Sequence, residues 1–311
     1  MDCGRSCSAP KALSLTTEFQ NTPGVPPLNI VALDVGGTKL AAAYLSNRVL
    51  RQRIEVATAA DLGPDTVIDQ MVQSVSVLPQ ATALAVACTG RVHGGLVTAL
   101  NPQTMPGWTN IALHHHLERR TGLPVTLVND ADAAAYGEAR LGAGQSAQSL
   151  LFVTISTGVG AGLILNGQLL TSASGIHSDF GYLRTPSGET IEAVAGGRAL
   201  AQWMSAHHQT GGARQLIDWS RTNVQASERL DLAVSSLVRG FGDVRVLTGV
   251  ETVVVGGSVG LNPEVFRRLQ HAVNLQSEMY RVHLAPAALG PDAGLYGAVL
   301  LAEADPTPFH L

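Results

Sequence analysis

Two stretches of this chain follow one pattern: a short apolar strand, a turn of glycine and threonine, and an apolar strand returning. Asn29 to Leu33 meets Asp34-Val35-Gly36-Gly37-Thr38-Lys39, and Leu40 to Leu45 comes back. Leu150 to Ser156 meets Thr157-Gly158-Val159-Gly160-Ala161-Gly162, and Leu163 to Leu165 comes back. Glycine in the turn marks each as a hairpin. One such turn is ordinary punctuation. Here one opens each half of a chain whose 311 residues suffice for roughly two domains of ~150 residues.

The rest alternates strands and helices. Thr82 to Ala87 reads as a buried strand before Thr89-Gly90, and Ile111 to Thr121 as a helix stopped by Gly122 and Pro124. Val125 to Val128 is a strand ending at Asn129-Asp130, and Ala131 to Leu141 an alanine-rich helix. Thr252 to Val255 is a strand meeting Gly256-Gly257-Ser258, and helical patterns follow Gly196-Gly197 and cover Asp292 to Ala302. This predicts a layered α/β protein. Charged residues are only 14% and hydrophobic ones 45%, which excludes disorder. A net charge of -4 without a basic run argues against nucleic acid and membrane surfaces as partners. No apolar run approaches the ~18 residues of a membrane span. Only Cys88 lies in the body of the chain, expected as a small buried hydrophobe, and the lack of a disulfide framework fits the cytoplasm. The first 28 residues lack the apolar stretch of a secretory signal and read as a disordered leader.

A glycine turn offers closely spaced backbone N–H groups with no side chain in the way, which suits a polyphosphate. With Gly256-Gly257 as a third glycine pair, nucleotide binding is the expected use, although neither a Walker pattern nor a dinucleotide fingerprint is present. Asn129-Asp130 sits at a strand end, where a carboxylate can accept a hydroxyl proton. Capping of the next helix is the alternative role for Asp130, and Asp132 is an alternative carboxylate. His114-His115-His116 and His207-His208 are consecutive, point in different directions on a helix and form no chelate; solvated faces are expected.

These motifs resemble those of the ROK family (repressor, open reading frame, kinase). Ala32-Leu33-Asp34-Val35-Gly36-Gly37-Thr38-Lys39 resembles its first phosphate loop and Ile155-Ser156-Thr157-Gly158-Val159-Gly160-Ala161-Gly162 its second. Val255-Gly256-Gly257-Ser258 is similar to its adenosine loop, and Asp292 to Ala298 to its closing helix. The resemblance implies a two-lobed actin-like ATPase (ribonuclease-H-like) fold. Residues 29–130 with 291–311 would form the smaller lobe and 131–290 the larger, with a cleft between them. It implies phosphorylation of a sugar hydroxyl from ATP with Mg2+, Asp130 as base and a homodimer. Asp34 would orient Mg2+ through water, and Lys39 would be either a phosphate contact or a solvated strand residue. Gly90, Asn129, Asp179, Tyr182 and Glu192 would join Asp130 around the sugar, with a helix N-terminal charge as the alternative for Glu192. Ala99 to Pro102, Val128 to Ala131, Phe152 to Leu170 and Val253 to Leu261 are similar to the bacterial N-acetylmannosamine kinases, which implies the 6-hydroxyl of that amino sugar. A glucose-type kinase is the alternative.

The chain departs from the family in one region. Asp179-Phe180-Gly181-Tyr182 stands where the family carries Glu and then Gly-His, and Leu183 to Ile191 holds no Cys or His. A structural zinc needs about four N or S ligands, so no zinc is expected. That change also keeps a non-catalytic sugar sensor in view. A repressor of this family would need a DNA-binding module ahead of its sugar domain, and 28 residues are too few for one.

Overall fold

The computed structural model describes residues 29–207 and 209–304. Along the chain run β1 (Asn29–Val35), β2 (Lys39–Ser46), β3 (Val49–Ala57), α1 (Pro64–Ser76), β4 (Ala83–Cys88), β5 (Arg91–His93), β6 (Leu96–Thr98), α2 (Leu113–Thr121), β7 (Val125–Asn129) and α3 (Asp130–Leu141). There follow β8 (Leu150–Ile155), β9 (Val159–Leu165), β10 (Gln168–Leu169), α4 (Ile191–Ala195), α5 (Gly197–Ala206), α6 (Ala213–Trp219), α7 (Val224–Thr248), β11 (Thr252–Gly256), α8 (Pro263–Asn274), β12 (His283–Pro286) and α9 (Ala293–Ala304).

The hairpins read in the sequence seed two sheets of one topology. In the first, ordered β3-β2-β1-β4-β7, β1 pairs antiparallel with β2 and parallel with β4. In the second, ordered β10-β9-β8-β11-β12, β8 pairs antiparallel with β9 and parallel with β11. The parallel strands end side by side, so the residues that follow them gather at one edge of each sheet, where α/β proteins place their ligands. The larger core packs Val153 and Ile155 against Leu230, Val234, Leu237 and Phe241, the inward stripe of α7. A smaller core joins Val31 and Leu33 to Met71, Trp108 and Leu117.

Between the sheets, α3 lies on α9 with their backbones in contact. A side-chain carbon at Gly137 would meet the Ala293 carbonyl, and one at Gly297 would run into the Ala133 carbonyl. Leu295 and Ala298 of α9 cover Ala32 and Ala85 of the first sheet, while Ala134 and Ala135 of α3 cover Leu150 and Phe152 of the second.

Three expectations need correction. The returning strand of the second hairpin begins at Val159, because Val159 already pairs with Ile155; the turn is only Ser156 to Gly158. Gly160 and Gly162 are therefore strand residues. A side-chain carbon at Gly162 would collide with Ala135 and the Ala131 carbonyl, so this glycine lets α3 approach the sheet. Second, α2 begins at Leu113, because Ile111 bridges to Val97. Third, His114 is 3% exposed, since α2 turns Leu113, His114 and Leu117 inward; it is not on a solvated face. His207 is exposed and stacks on Trp203, and His208 lies outside the described residues. Cys88 is fully buried, and burial pushes its thiol pKa up. No helix among the described residues is long and apolar enough to cross a membrane.

Candidate active site

A cleft of about 720 Å³ opens where the two glycine turns face each other. Asp34, Gly36, Gly37, Thr38 and Lys39 line one wall, and Ser156, Thr157, Gly158, Val159, Gly160 and Ala161 the other. The motif residues between them serve the sheets. Ala32, Leu33, Val35 and Ile155 are fully buried core residues, and Gly162 lies beneath α3. Gly256 and Gly257 lie outside the cleft lining, and a side-chain carbon at Gly257 would strike the backbone of Ile155.

Neighbouring elements fix the second turn. The Val159 amide donates to Glu192 Oε2 at 2.9 Å, so Glu192 links this turn to α4. Gly197 and Arg198, at the start of α5, donate their amides to the Ser156 and Thr157 carbonyls. The Arg198 guanidinium crosses the cleft and donates to Thr104 Oγ1 at 2.9 Å. Lys39 is exposed at the cleft mouth and pairs with Glu55 at 2.6 Å.

The floor is acidic. Asp34, at the end of β1, has its pKa pushed up to about 7 by burial, then by the charges of Asp130 and Asp292, with Arg53 opposing. Asp130 follows β7 directly. Burial raises its pKa, while the Ala131 amide and the Thr89 hydroxyl pull it back. Asn129, rather than Asp130, occupies the N-cap of α3: its side-chain oxygen accepts from the Ala131 and Asp132 amides at 2.9 and 3.1 Å. Its Nδ2 donates to the Gly90 carbonyl at 2.9 Å, which holds Gly90 beside the floor. Asp130 still accepts a bond from Ala131, but the helix does not depend on it for capping.

Asp179 precedes a short 3-10 turn over Phe180–Tyr182, Tyr182 ends it, and both line the same cleft. Burial raises the Asp179 pKa, while His177 and Arg91 counter it. Tyr182 is 48% exposed, with its hydroxyl 3.4 Å from the Leu100 carbonyl on the opposite wall. The cleft thus gathers all six expected sugar-site residues. It also holds three that the sequence did not single out for it: Arg198, His177 and Thr104. Their contacts join residues 45 and 94 positions apart, and no local spacing signals them.

A divalent cation fits the Asp34 end, where the nearby charges of Asp130 and Asp292 add to the cost of ionising a buried carboxyl. A structural zinc does not fit the 183–191 segment, which has no Cys or His. Among the described residues no group of three His, Cys, Asp or Glu side chains is placed to hold a metal ion. The Asp34 shift carries a stability consequence. A carboxyl whose folded pKa is raised contributes stability at low pH that is lost as pH climbs from about 4 to about 7. Asp34→Asn is therefore expected to melt above the wild type at pH 8 without nucleotide, and to lose that advantage near pH 4. Thermal melts at both pH values check this, and a lower melting point at pH 8 would refute it.

Two like sheets, each opening with a glycine hairpin, and a carboxylate floor between them define an actin-like ATPase of the sugar-kinase kind. The chain belongs to the ROK family, whose model matches residues 30–305. It is 35% identical over 291 residues to an N-acetylmannosamine kinase of Citrobacter koseri, covering 89% of this chain and 100% of that one. An N-acetylmannosamine kinase of Salmonella typhi is 35% identical over 292 residues, covering 89% and 99%. Among solved structures, a ROK hexokinase from Thermus thermophilus superimposes with a TM-score of 0.75 at 27% identity, covering 89% and 100%. A ROK glucokinase from Streptomyces griseus in complex with glucose and AMPPNP superimposes with a TM-score of 0.75 at 25% identity, with the same coverage.

Proposed function

We propose that this chain transfers the γ-phosphoryl group of ATP to the 6-hydroxyl of N-acetyl-D-mannosamine. The observation that carries this reading is the placement of Asp130: a carboxylate relieved of capping by Asn129, on the floor where both glycine turns converge. The amides of Gly37 and Thr38 and of Thr157 and Gly158 would cradle the phosphates, while those of Gly36 and Ser156 close their turns on the Lys39 and Gly158 carbonyls. Asp130 accepts the hydroxyl proton as the sugar oxygen bonds to the γ-phosphorus; the bond from that phosphorus to the β–γ bridging oxygen breaks, and ADP departs. Asp34 would hold Mg2+ through water, and the ion supplies charge neutralisation on the phosphates. Gly90, Asn129, Asp179, Tyr182 and Glu192 would orient the sugar, in a site without zinc. The 35% identity to N-acetylmannosamine kinases supports this sugar over glucose.

A coupled ADP-release assay across N-acetylmannosamine, N-acetylglucosamine, mannosamine and glucose tests the reading. The highest kcat/KM is expected with N-acetylmannosamine. Turnover of glucose alone would assign a glucose-type kinase, and sugar binding with no turnover at all would make the protein a sensor. Within the site, Tyr182→Phe should raise the sugar KM by the ~0.5–1.5 kcal/mol of one neutral hydrogen bond, and Asp179→Ala by the ~1.5–3 kcal/mol of a charged one. Neither should move the ATP KM. Wild-type kinetics in both variants would place these residues outside the sugar site.

A further inference from the structure

The residues from 170 to 179 form neither helix nor strand, yet they carry Asp179 into the cleft. Beside local turn bonds, a long-range ion pair ties them to α3. His177 Nε2 lies 2.7 Å from Asp132 Oδ2, and the two side chains are 12% and 5% exposed. Asp132 stands in the first turn of α3, two residues beyond Asp130; His177 stands two residues before Asp179. The pair therefore joins the helix that bears the proposed base to the segment that bears a proposed sugar ligand.

Two further observations separate it from an ordinary structural ion pair. Asp132 Oδ1 and His177 Nδ1 are buried beside the cleft without a hydrogen-bond partner, although interior polar groups are normally satisfied. Between His177 and Asp179, Ser178 takes φ 54°, a left-handed conformation that residues with side chains rarely adopt unless held. The charges facing the imidazole are Asp132 from α3 and Asp179 from its own segment; Asp130 faces Asp132, and Arg91 faces Asp179. The hydrogen bond to Asp132 is the main reason that His177 keeps its proton to higher pH than a free imidazole.

We propose that the Asp132–His177 ion pair is the positioning element of the sugar site: it tethers the Asp179 segment to the catalytic helix, in a chain whose neighbouring 183–191 segment holds no Cys or His. This rests on the reading of Asp130 and Asp179 as sugar-facing groups. The imidazolium sits between two carboxylates, Asp132 and Asp179. It holds the 177–179 turn in place and offsets the repulsion between Asp179 and Asp132.

The test uses the full chain and equilibrium titration, which needs no turnover. N-acetylmannosamine and Mg-ATP are titrated separately into wild type, His177→Ala, His177→Gln, Asp132→Asn and the double variant Asp132→Asn/His177→Ala. His177→Ala is expected to weaken sugar binding by about tenfold or more, the scale of a coupled pair, and to leave the Mg-ATP Kd within about twofold. His177→Gln, which can still donate to Asp132, should recover most of the loss. The double variant should bind sugar no more weakly than the worse single one. In the wild type the sugar Kd should rise as pH climbs through the imidazolium titration, and in His177→Ala it should stay flat. An unchanged sugar Kd in a folded His177→Ala variant overturns the proposal. So does parallel weakening of sugar and Mg-ATP, which marks simple destabilisation. ADP release by the wild type decides the kinase reading separately: with sugar bound but no sugar turned over, that reading fails while the Kd series still decides the tether. A wild type that binds no N-acetylmannosamine overturns both.

Discussion

Asp130→Asn is expected to lower kcat by about 10²–10⁴-fold, the usual contribution of a positioned general base, while leaving the sugar Kd close to that of the wild type. The amide keeps the shape of the side chain but cannot take the hydroxyl proton. It also leaves α3 intact, because Asn129 is the capping residue. Burial raises the Asp130 pKa, so the fraction of ionised base, and kcat with it, should climb with pH until the carboxyl is fully deprotonated. Circular dichroism would verify folding, and steady-state kinetics with titrated sugar would give the split between kcat and Kd. Near-normal turnover in the folded variant would move the base elsewhere, with Asp132 the nearest alternative.

Gly158→Val and Gly37→Val should raise the ATP KM by about tenfold or more, since overpacking by a branched side chain typically costs ~1–3 kcal/mol. At position 158 the new side chain would run into the Glu192 carboxylate, which holds the Val159 amide, so the turn itself must shift. At position 37 it would meet the backbone carbonyl of Thr104, on the loop that Arg198 grips from the other lobe. The two changes strike the two opposite walls proposed to cradle the phosphates. Sugar affinity should be less affected in Gly37→Val than in Gly158→Val, because Glu192 is also a proposed sugar ligand. An unchanged ATP requirement in both variants would make the hairpins purely structural.

The legible parts of this fold are those whose cause is local. Each hairpin announces itself through a turn glycine between apolar strands, and Asn129-Asp130 through its position between a strand and an alanine-rich helix. The same logic put Gly160 and Gly162 in the turn, whereas both lie in β9, Gly160 in the cleft lining and Gly162 beneath α3. A glycine that admits a ligand and one that admits a helix look alike in a motif, and only the packing of α3 on β9 tells them apart. In the His114-His115-His116 run, one ring falls on the inward stripe of α2, a distinction set by where the helix starts. The Asp132–His177 and Arg198–Thr104 contacts were illegible for a different reason. They depend on loops brought together by two sheets and carry no periodic or compositional mark.

The contact between α3 and α9 bears on how this sequence can drift. Where two side chains face each other in a core, a larger one on one side can be offset by a smaller one on the other. At Gly297 the opposing wall is the carbonyl oxygen of Ala133, a group that every amino acid carries. No replacement at position 133 makes room, so the seam between the lobes has no second-site suppressor in the facing side chain. Selection for enlargement at position 297 would have to be answered by moving a whole helix, and with it the first turn on which Asp130 stands.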